Sequence, residues 1–226
     1  MVCEKIVKLD KVLVIAVHPD DETLGCGGSL LKHKSNGDEL HWLICTTIDK
    51  NNSYFDKREK EIEKVTELYN FDSVNNLNLN TMHVDEYTMS YIIGKISKII
   101  SEIKPNIVYL PFFGDVHSDH RKIFDAAFSC TKSFRYPYIK KIYMMEILSE
   151  TEFAPSTKEG SFIPNSFVDI SEYFENKIKI MKVFESEIGK HPFPRSEDNL
   201  RALATFRGAT CGCKYAESFM LLKEII

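Results

Sequence analysis

The feature that most constrains this chain is residues 12–28, where the apolar run Val-Leu-Val-Ile-Ala-Val leads without a break into His18-Pro19-Asp20-Asp21-Glu22-Thr23-Leu24-Gly25-Cys26-Gly27-Gly28. A short continuous apolar run bounded by a turn is a strand buried on both faces, the kind found in parallel sheets covered by helices. Pro19 fixes the turn, and a helix follows over residues 23–34 with its stop at Asn36-Gly37. Metal-competent and turn-forming side chains crowded against a strand end suit a reaction site better than a scaffold.

A second junction of the same kind lies about a hundred residues on. Residues 107–113 read as another buried strand and run into Gly114-Asp115-Val116-His117-Ser118-Asp119-His120. Two strand ends that each carry His and Asp suggest one shared metal site. A catalytic Zn²⁺ takes three protein ligands, commonly His nitrogen and carboxylate oxygen, and keeps a position for water. His18 and Asp21 are three apart across the Pro19 turn, so both can face one centre, and His120 completes a set of three. Such a site lowers the pKa of bound water to roughly 7. Asp20 and Asp21 are adjacent, and neighbours in a non-helical turn do not readily present both side chains to one metal. One of the pair is therefore expected to bind and the other to act as base.

The rest of the chain alternates between strand and helix signals. A strand over 40–47 is followed by a helix over 55–69, with Ile62, Val65, Leu68 and Tyr69 on one face and the Lys/Glu run of 57–64 on the solvated side. A weaker strand at 73–79 precedes a helix at 88–103, whose Ile92, Ile96, Ile99, Ile100 and Ile103 face a core before the break at Lys104-Pro105-Asn106. Helices at 119–130, 171–184 and 197–207 and strands at 141–147 and 167–170 complete the pattern. The alternation predicts an α/β chain with a three-layer Rossmann-like fold, its mostly parallel sheet flanked by helices. No long linker, composition shift or internal repeat divides it, so residues 1–226 read as one domain. In such sheets ligands bind beyond the carboxyl ends of strands, near a switch in strand order, and both motifs lie at predicted carboxyl ends.

Taken together, the two motifs resemble those of the PIG-L/LmbE-like zinc N-deacetylases, which carry His-Pro-Asp-Asp-Glu after the first strand and a His-x-Asp-His segment after a later one. The resemblance implies zinc ligands at His18, Asp21 and His120, with Asp20 as the general base. It also implies that His117 steadies the oxyanion or protonates the leaving amine, and that Asp119 orients an imidazole. It extends over most of the chain. Arg58-Glu59-Lys60-Glu61 resembles the family's R-x-x-E segment, whose arginine reaches the substrate, while Arg207-Gly208 and Tyr215-Ala216-Glu217-Ser218-Phe219 resemble its closing elements. Two departures stand out: Thr46-Thr47-Ile48-Asp49-Lys50 lacks the glycine of the usual Thr-Asp-Gly-type loop, and Ser118 stands where proline is usual.

The activity implied is hydrolysis of an amide in an N-acetylated amino sugar, most often N-acetylglucosamine in a glycoside, a lipid-linked form or a nucleotide sugar. In that scheme Asp20 takes a proton from water, and a protonated His117 holds the oxyanion. A His₂Asp set accepts Fe²⁺, Co²⁺ or Mn²⁺ as well as Zn²⁺. Many relatives assemble into oligomers, so the resemblance admits a homo-oligomer.

Bulk properties fit a small-molecule enzyme. The 226 residues carry a net charge of −4 with both signs interspersed, which leaves no electrostatic footprint for nucleic acid. Lys5, Lys8 and Lys11 precede an apolar run too short for a signal-peptide core, and no stretch approaches the roughly 20 apolar residues of a membrane span, so a cytoplasmic protein is expected. Cys3, Cys26, Cys45, Cys130, Cys211 and Cys213 show no disulfide-scaffold spacing and read as free thiols. Cys211-Gly212-Cys213 is spaced more tightly than zinc-binding cysteine pairs, and Cys26 is expected to pack beneath the motif.

Other candidates divide between substrate contacts and plain structure. The His191-Pro192-Phe193-Pro194-Arg195 loop joins two late helices, so His191 and Arg195, together with Arg58, are expected to line the substrate pocket. His33 and His41 read as surface residues and His83 as a loop residue. Glu22 reads as a partner of the motif or of the helix start, and Phe112 and Phe113 as core or pocket wall. Two rival functions remain. A nucleotide-binding module is suggested by Gly25-Cys26-Gly27-Gly28, but the third glycine of GxGxxG is missing and the preceding acids would repel a pyrophosphate. A non-catalytic metal-binding or assembly protein would need neither Asp20 nor His117.

Overall fold

The computed structural model describes residues 9–157 and 159–226. Cys3, Lys5 and Lys8 lie outside the described residues. Among the described residues, seven strands form one sheet in the order β3-β2-β1-β4-β5-β7-β6. They are β1 (Lys11–Ala16), β2 (Glu39–Thr47), β3 (Ser73–Asn80), β4 (Ile107–Leu110), β5 (Lys141–Met145), β6 (Ser166–Asp169) and β7 (Ala216–Glu224). The first five are parallel, and β7 runs antiparallel to both β5 and β6.

Side-chain alternation along β1 builds the layers. Val12, Val14 and Ala16 enter one core with α1 (Asp21–Ser35), α2 (Phe55–Tyr69), α5 (Phe174–Met181) and α6 (Glu197–Cys211). Leu13, Ile15 and Val17 enter the other with α3 (Met89–Ile103) and α4 (Ser118–Ser129). Both faces of β1 are fully buried, as its unbroken apolar run requires. The chain is thus α/β with helices on both faces of a mostly parallel sheet.

The connections place the switch in strand order between β1 and β4. From β1 the chain winds outward to β2 and β3, then crosses back to lay β4 on the other side of β1. The turn after β1 and the loop after β4 therefore leave adjacent carboxyl ends and open a crevice between them.

Several boundaries differ from the sequence expectation. The β4 strand stops at Leu110 because Pro111 cannot donate to the ladder. Helix α1 begins at Asp21, α5 is confined to Phe174–Met181, and β7 was not expected as a strand at all. His41 is buried on β2 with Nδ1 2.8 Å from Ser73 Oγ, and His33 bridges Asp38 and Tyr109 at 2.7 and 3.2 Å, so neither is the freely solvated residue expected. Phe112 is core, whereas Phe113 is exposed. His83 does lie outside the helices and strands, beside a short 3-10 turn.

The glycines after the first motif lie inside α1, not in a loop at a helix start. A Cβ at Gly25 would come within 2.8 Å of Met145, and one at Gly28 within 2.7 Å of Ile170, so they let the helix lie close against its neighbours. That packing role removes the sequence basis for a phosphate-binding turn. At Cys26 the helix kinks (φ −145°), and the buried Cys26 thiol turns back to the Glu22 carbonyl at 3.4 Å. Glu217 of β7 caps the half that restarts there. Its carboxylate accepts the N–H groups of Gly28 and Ser29 at 2.8 and 2.7 Å and pairs with Lys177 at 2.7 Å.

Candidate active site

The two strand ends deliver three donors to one point. His18 Nδ1 and His120 Nε2 lie 3.3 Å apart, and Asp21 Oδ2 is 3.4 Å from His120 Nε2 and 3.9 Å from His18 Nδ1. Donors 2.0–2.1 Å from a tetrahedral Zn²⁺ stand about 3.4 Å from one another, so His18, Asp21 and His120 have the spacing of a three-ligand divalent site.

Each donor is held by its neighbours. Asp21 accepts the backbone N–H groups of Val17 and His18 at 2.9 and 2.8 Å. His120 is buried at the start of α4, where its Nδ1 pairs with Asp115 Oδ2 at 2.9 Å, leaving the Nε2 lone pair to face Asp21 and His18. Asp115 is in turn fixed by Thr151 Oγ1 at 2.7 Å. Burial would push the His120 imidazole down, but Asp21 and Asp115 outweigh it and raise its pKa to about 9. The position favours a positive charge, which is what an ion would supply.

Asp119 stands behind His18, with Oδ2 3.6 Å from His18 Nε2, a buried nitrogen with no hydrogen-bond partner. It also accepts the Met82 N–H at 2.8 Å. Burial alone would raise the Asp119 carboxyl, but these contacts win and hold it below the ordinary carboxylate value.

Asp20 occupies the turn with φ 137°, a conformation costly for a residue with a side chain and held here by the surrounding fold. Its N–H donates to Glu22 Oε2 at 3.0 Å, which gives the buried Glu22 its place beneath the turn. Burial, with Asp21 and Glu187 nearby, holds the Asp20 carboxyl well above the usual range, and burial pushes Glu22 up to about 8.

His117 caps α4 with its ring: Nδ1 accepts the Asp119 N–H at 3.1 Å. The proton of the neutral imidazole is then on Nε2. Burial and the neighbouring His18 lower its pKa, so the protonated His117 expected from the sequence is disfavoured and the cap would be lost on forming it.

A cavity of about 240 Å³ opens beside these groups, lined by His18, Asp20, Asp21 and His117 and by Thr46, Thr47, Ile48, Ile62 and Thr81. Arg58 and Arg195 reach it as well, but His191 does not; it is exposed on a separate shallow groove beside Lys182 and Glu197. Among the lining residues missed by the sequence reading are two carboxylates. Glu187 binds both arginines, and Glu150 has a buried, unpartnered Oε2, with burial pushing its carboxyl up to about 7. Nothing in their local sequence separates either from an ordinary surface glutamate.

Elsewhere, Cys211 and Cys213 have their sulfurs 3.5 Å apart at the end of α6 but belong to no cluster of three metal-competent residues among the described residues. The two clusters of that kind found among the described residues both contain His18. The second is His18 with His117 and Asp119, where the His117 Nδ1 lone pair is already taken by the helix cap.

The sequence pattern of the PIG-L family, described as GlcNAc-PI de-N-acetylase, matches residues 13–131. The chain belongs to this family. The match takes in both strand-end motifs. A diacetylchitobiose deacetylase of Thermococcus kodakarensis is 26% identical over 231 residues, covering 95% of this chain and 84% of the relative. The uncharacterized deacetylase YaiS of Escherichia coli is 27% identical over 180 residues, covering 77% and 90%. The structure of N,N'-diacetylchitobiose deacetylase from Pyrococcus horikoshii, complexed with an inhibitor, shares the fold of this PIG-L family chain, with a TM-score of 0.76 at 24% identity over 95% of this chain and 84% of that one. No helix among the described residues is long and apolar enough to cross a membrane.

Proposed function

We propose that this PIG-L family protein hydrolyses the N-acetyl group of an acetylated amino sugar, releasing acetate and a free amine, with a divalent ion, Zn²⁺ in the first instance, held by His18, Asp21 and His120. The observation that carries the reading is the spacing of those three donors, 3.3 to 3.9 Å, beside a cavity that the buried Asp20 also lines. The deacetylase names of the relatives give the reaction class.

A bound divalent ion would polarise the acetyl carbonyl and bring the pKa of a coordinated water toward about 7. Asp20, as a carboxylate beside the three donors, would accept the proton of the attacking water and then return it to the departing amine. His117, with Nδ1 committed to the Asp119 N–H, offers Nε2–H to the developing oxyanion as a neutral donor. Asp115 holds the ring of His120, and the Asp119 carboxylate stands 3.6 Å behind that of His18.

A panel of N-acetylglucosamine glycosides, lipid-linked forms and nucleotide sugars, assayed for released acetate, tests the proposal. Activity is expected to vanish with chelator and to return with Zn²⁺, Fe²⁺, Co²⁺ or Mn²⁺. A folded protein that takes up no divalent ion, or that releases acetate equally well with chelator present, refutes it.

A further inference from the structure

The cavity wall formed by α2, the segment before α6 and the turn after β5 is closed by a carboxylate that two arginines share. Arg58 Nη2 binds Glu187 Oε1, and Arg195 Nη2 binds Glu187 Oε2 at 2.9 Å. The remaining nitrogens are also engaged. Arg58 Nη1 donates to the Pro19 carbonyl at 3.1 Å, within the first motif, and its Nε faces the buried Glu61 at 3.4 Å. Arg195 Nε donates to the Glu187 carbonyl and Nη1 to Ser149 Oγ, both at 2.7 Å. Two cations thus meet two carboxylates, Glu61 and Glu187, and the charge of this wall is closed internally.

We infer that Glu187 is a specificity-determining residue that commits this cavity to uncharged acetylated sugars. The inference rests on the deacetylase reading above and deepens it. A phosphate or carboxylate is recognised through the paired, parallel N–H groups of a guanidinium fork. Here Arg195 spends its Nε–Nη2 edge on Glu187, and Arg58 divides its Nη2 between Glu187 and Ser186 while its Nη1 and Nε face Pro19 and Glu61. What is left are single N–H donors and the threonine hydroxyls, which suit sugar hydroxyls. An anionic substituent entering the cavity would also approach the Glu187 carboxylate, and a repulsive group of this kind discriminates by rejecting the wrong ligand. Replacing the carboxylate releases the Nη2 contact of each arginine and removes one negative charge, so the same wall gains a net positive charge with two converging N–H donors for an anion.

The test compares dissociation constants of N-acetylglucosamine and N-acetylglucosamine 6-phosphate by calorimetry at fixed ionic strength, on the metal-loaded wild type, Glu187→Gln, and Glu187→Gln combined with Arg195→Met. The wild type is expected to favour the neutral sugar at least tenfold. Glu187→Gln is expected to shift the ratio toward the phosphate by at least tenfold, and the double variant, with one cation removed, to fall back toward wild type. A wild type that prefers the phosphate, or a Glu187→Gln ratio within threefold of wild type, overturns the inference. If the wild type binds neither probe, Glu187→Gln must bind the phosphate, and its failure to do so is equally decisive. If Glu187→Gln does not fold, the wild-type ratio decides. Acetate release measured alongside keeps the two readings apart. Loss of turnover with the neutral preference intact refutes the deacetylase reading, whereas turnover with an anionic preference refutes only the role of Glu187.

Discussion

His120 Nδ1 and Asp115 Oδ2 lie 2.9 Å apart, both fully buried, and that pair fixes which nitrogen of His120 points at Asp21 and His18. A carboxylate behind a metal-binding imidazole sets its tautomer and raises its basicity, and losing one typically costs about 10- to 100-fold in metal affinity. Asp115→Ala is therefore expected to weaken Zn²⁺ binding by that factor while leaving the three donors in place. Competition against a chromogenic chelator measures it, and an affinity equal to wild type would remove Asp115 from the site.

Asp20 is expected to matter for turnover and not for the ion. Asp20→Asn keeps the shape of the side chain but cannot accept the water proton, so acetate release should fall by about 10²- to 10⁴-fold. Metal content by elemental analysis should stay at the wild-type level. A variant that loses its metal in proportion to its activity would make Asp20 a ligand instead of a base.

Glu217 and Lys177 form a buried pair, their side chains 5% and 7% exposed, that spans β7, α5 and the restarted half of α1. Taking away one partner leaves the other charged and unpaired in the interior, which costs about 3–5 kcal/mol. Glu217→Ala also uncaps Gly28 and Ser29, so its unfolding free energy, measured in urea, should fall by an amount in that range. A loss below about 1 kcal/mol would mean that the pair is solvated.

How much of this was legible in sequence depends on whether a residue's role is local. His18, Asp20 and Asp21 sit in one turn after an apolar strand, and His117, Asp119 and His120 in another, so strand-end chemistry and spacing reveal them. The layer architecture follows from the alternation of apolar periods. Glu187 and Glu150 gain meaning only because the fold brings the segment before α6 and the turn after β5 to the crevice, a contact of long sequence separation with no local signature. His191 fails for the converse reason: its loop has the stiffness and polarity of a binding segment, but only Arg195, four residues on, turns toward the cavity. The β7 strand was missed because the Ala216–Glu224 segment carries two acids among its apolar residues, and Glu217 is spent on capping α1.

The Arg58-Glu187-Arg195 network predicts an acid-sensitive contribution to stability. Burial would raise the Glu187 carboxyl, but Ser186, Arg58 and Arg195 outweigh it and hold it below its ordinary value. A carboxylate whose folded pKa lies below the unfolded one stabilises the fold fully above the unfolded value of about 4.3, and that stabilisation is lost as pH falls through the folded value. Hydrogen bonds to charged groups contribute about 2 kcal/mol each, so wild type should exceed Glu187→Gln by about that much at pH 7. The gap should hold down to about pH 5 and then close toward pH 3. Urea unfolding of both proteins across this range checks it. A difference that does not change with pH would show that Glu187 contributes shape and not charge, and would leave both arginine forks neutralised by something else.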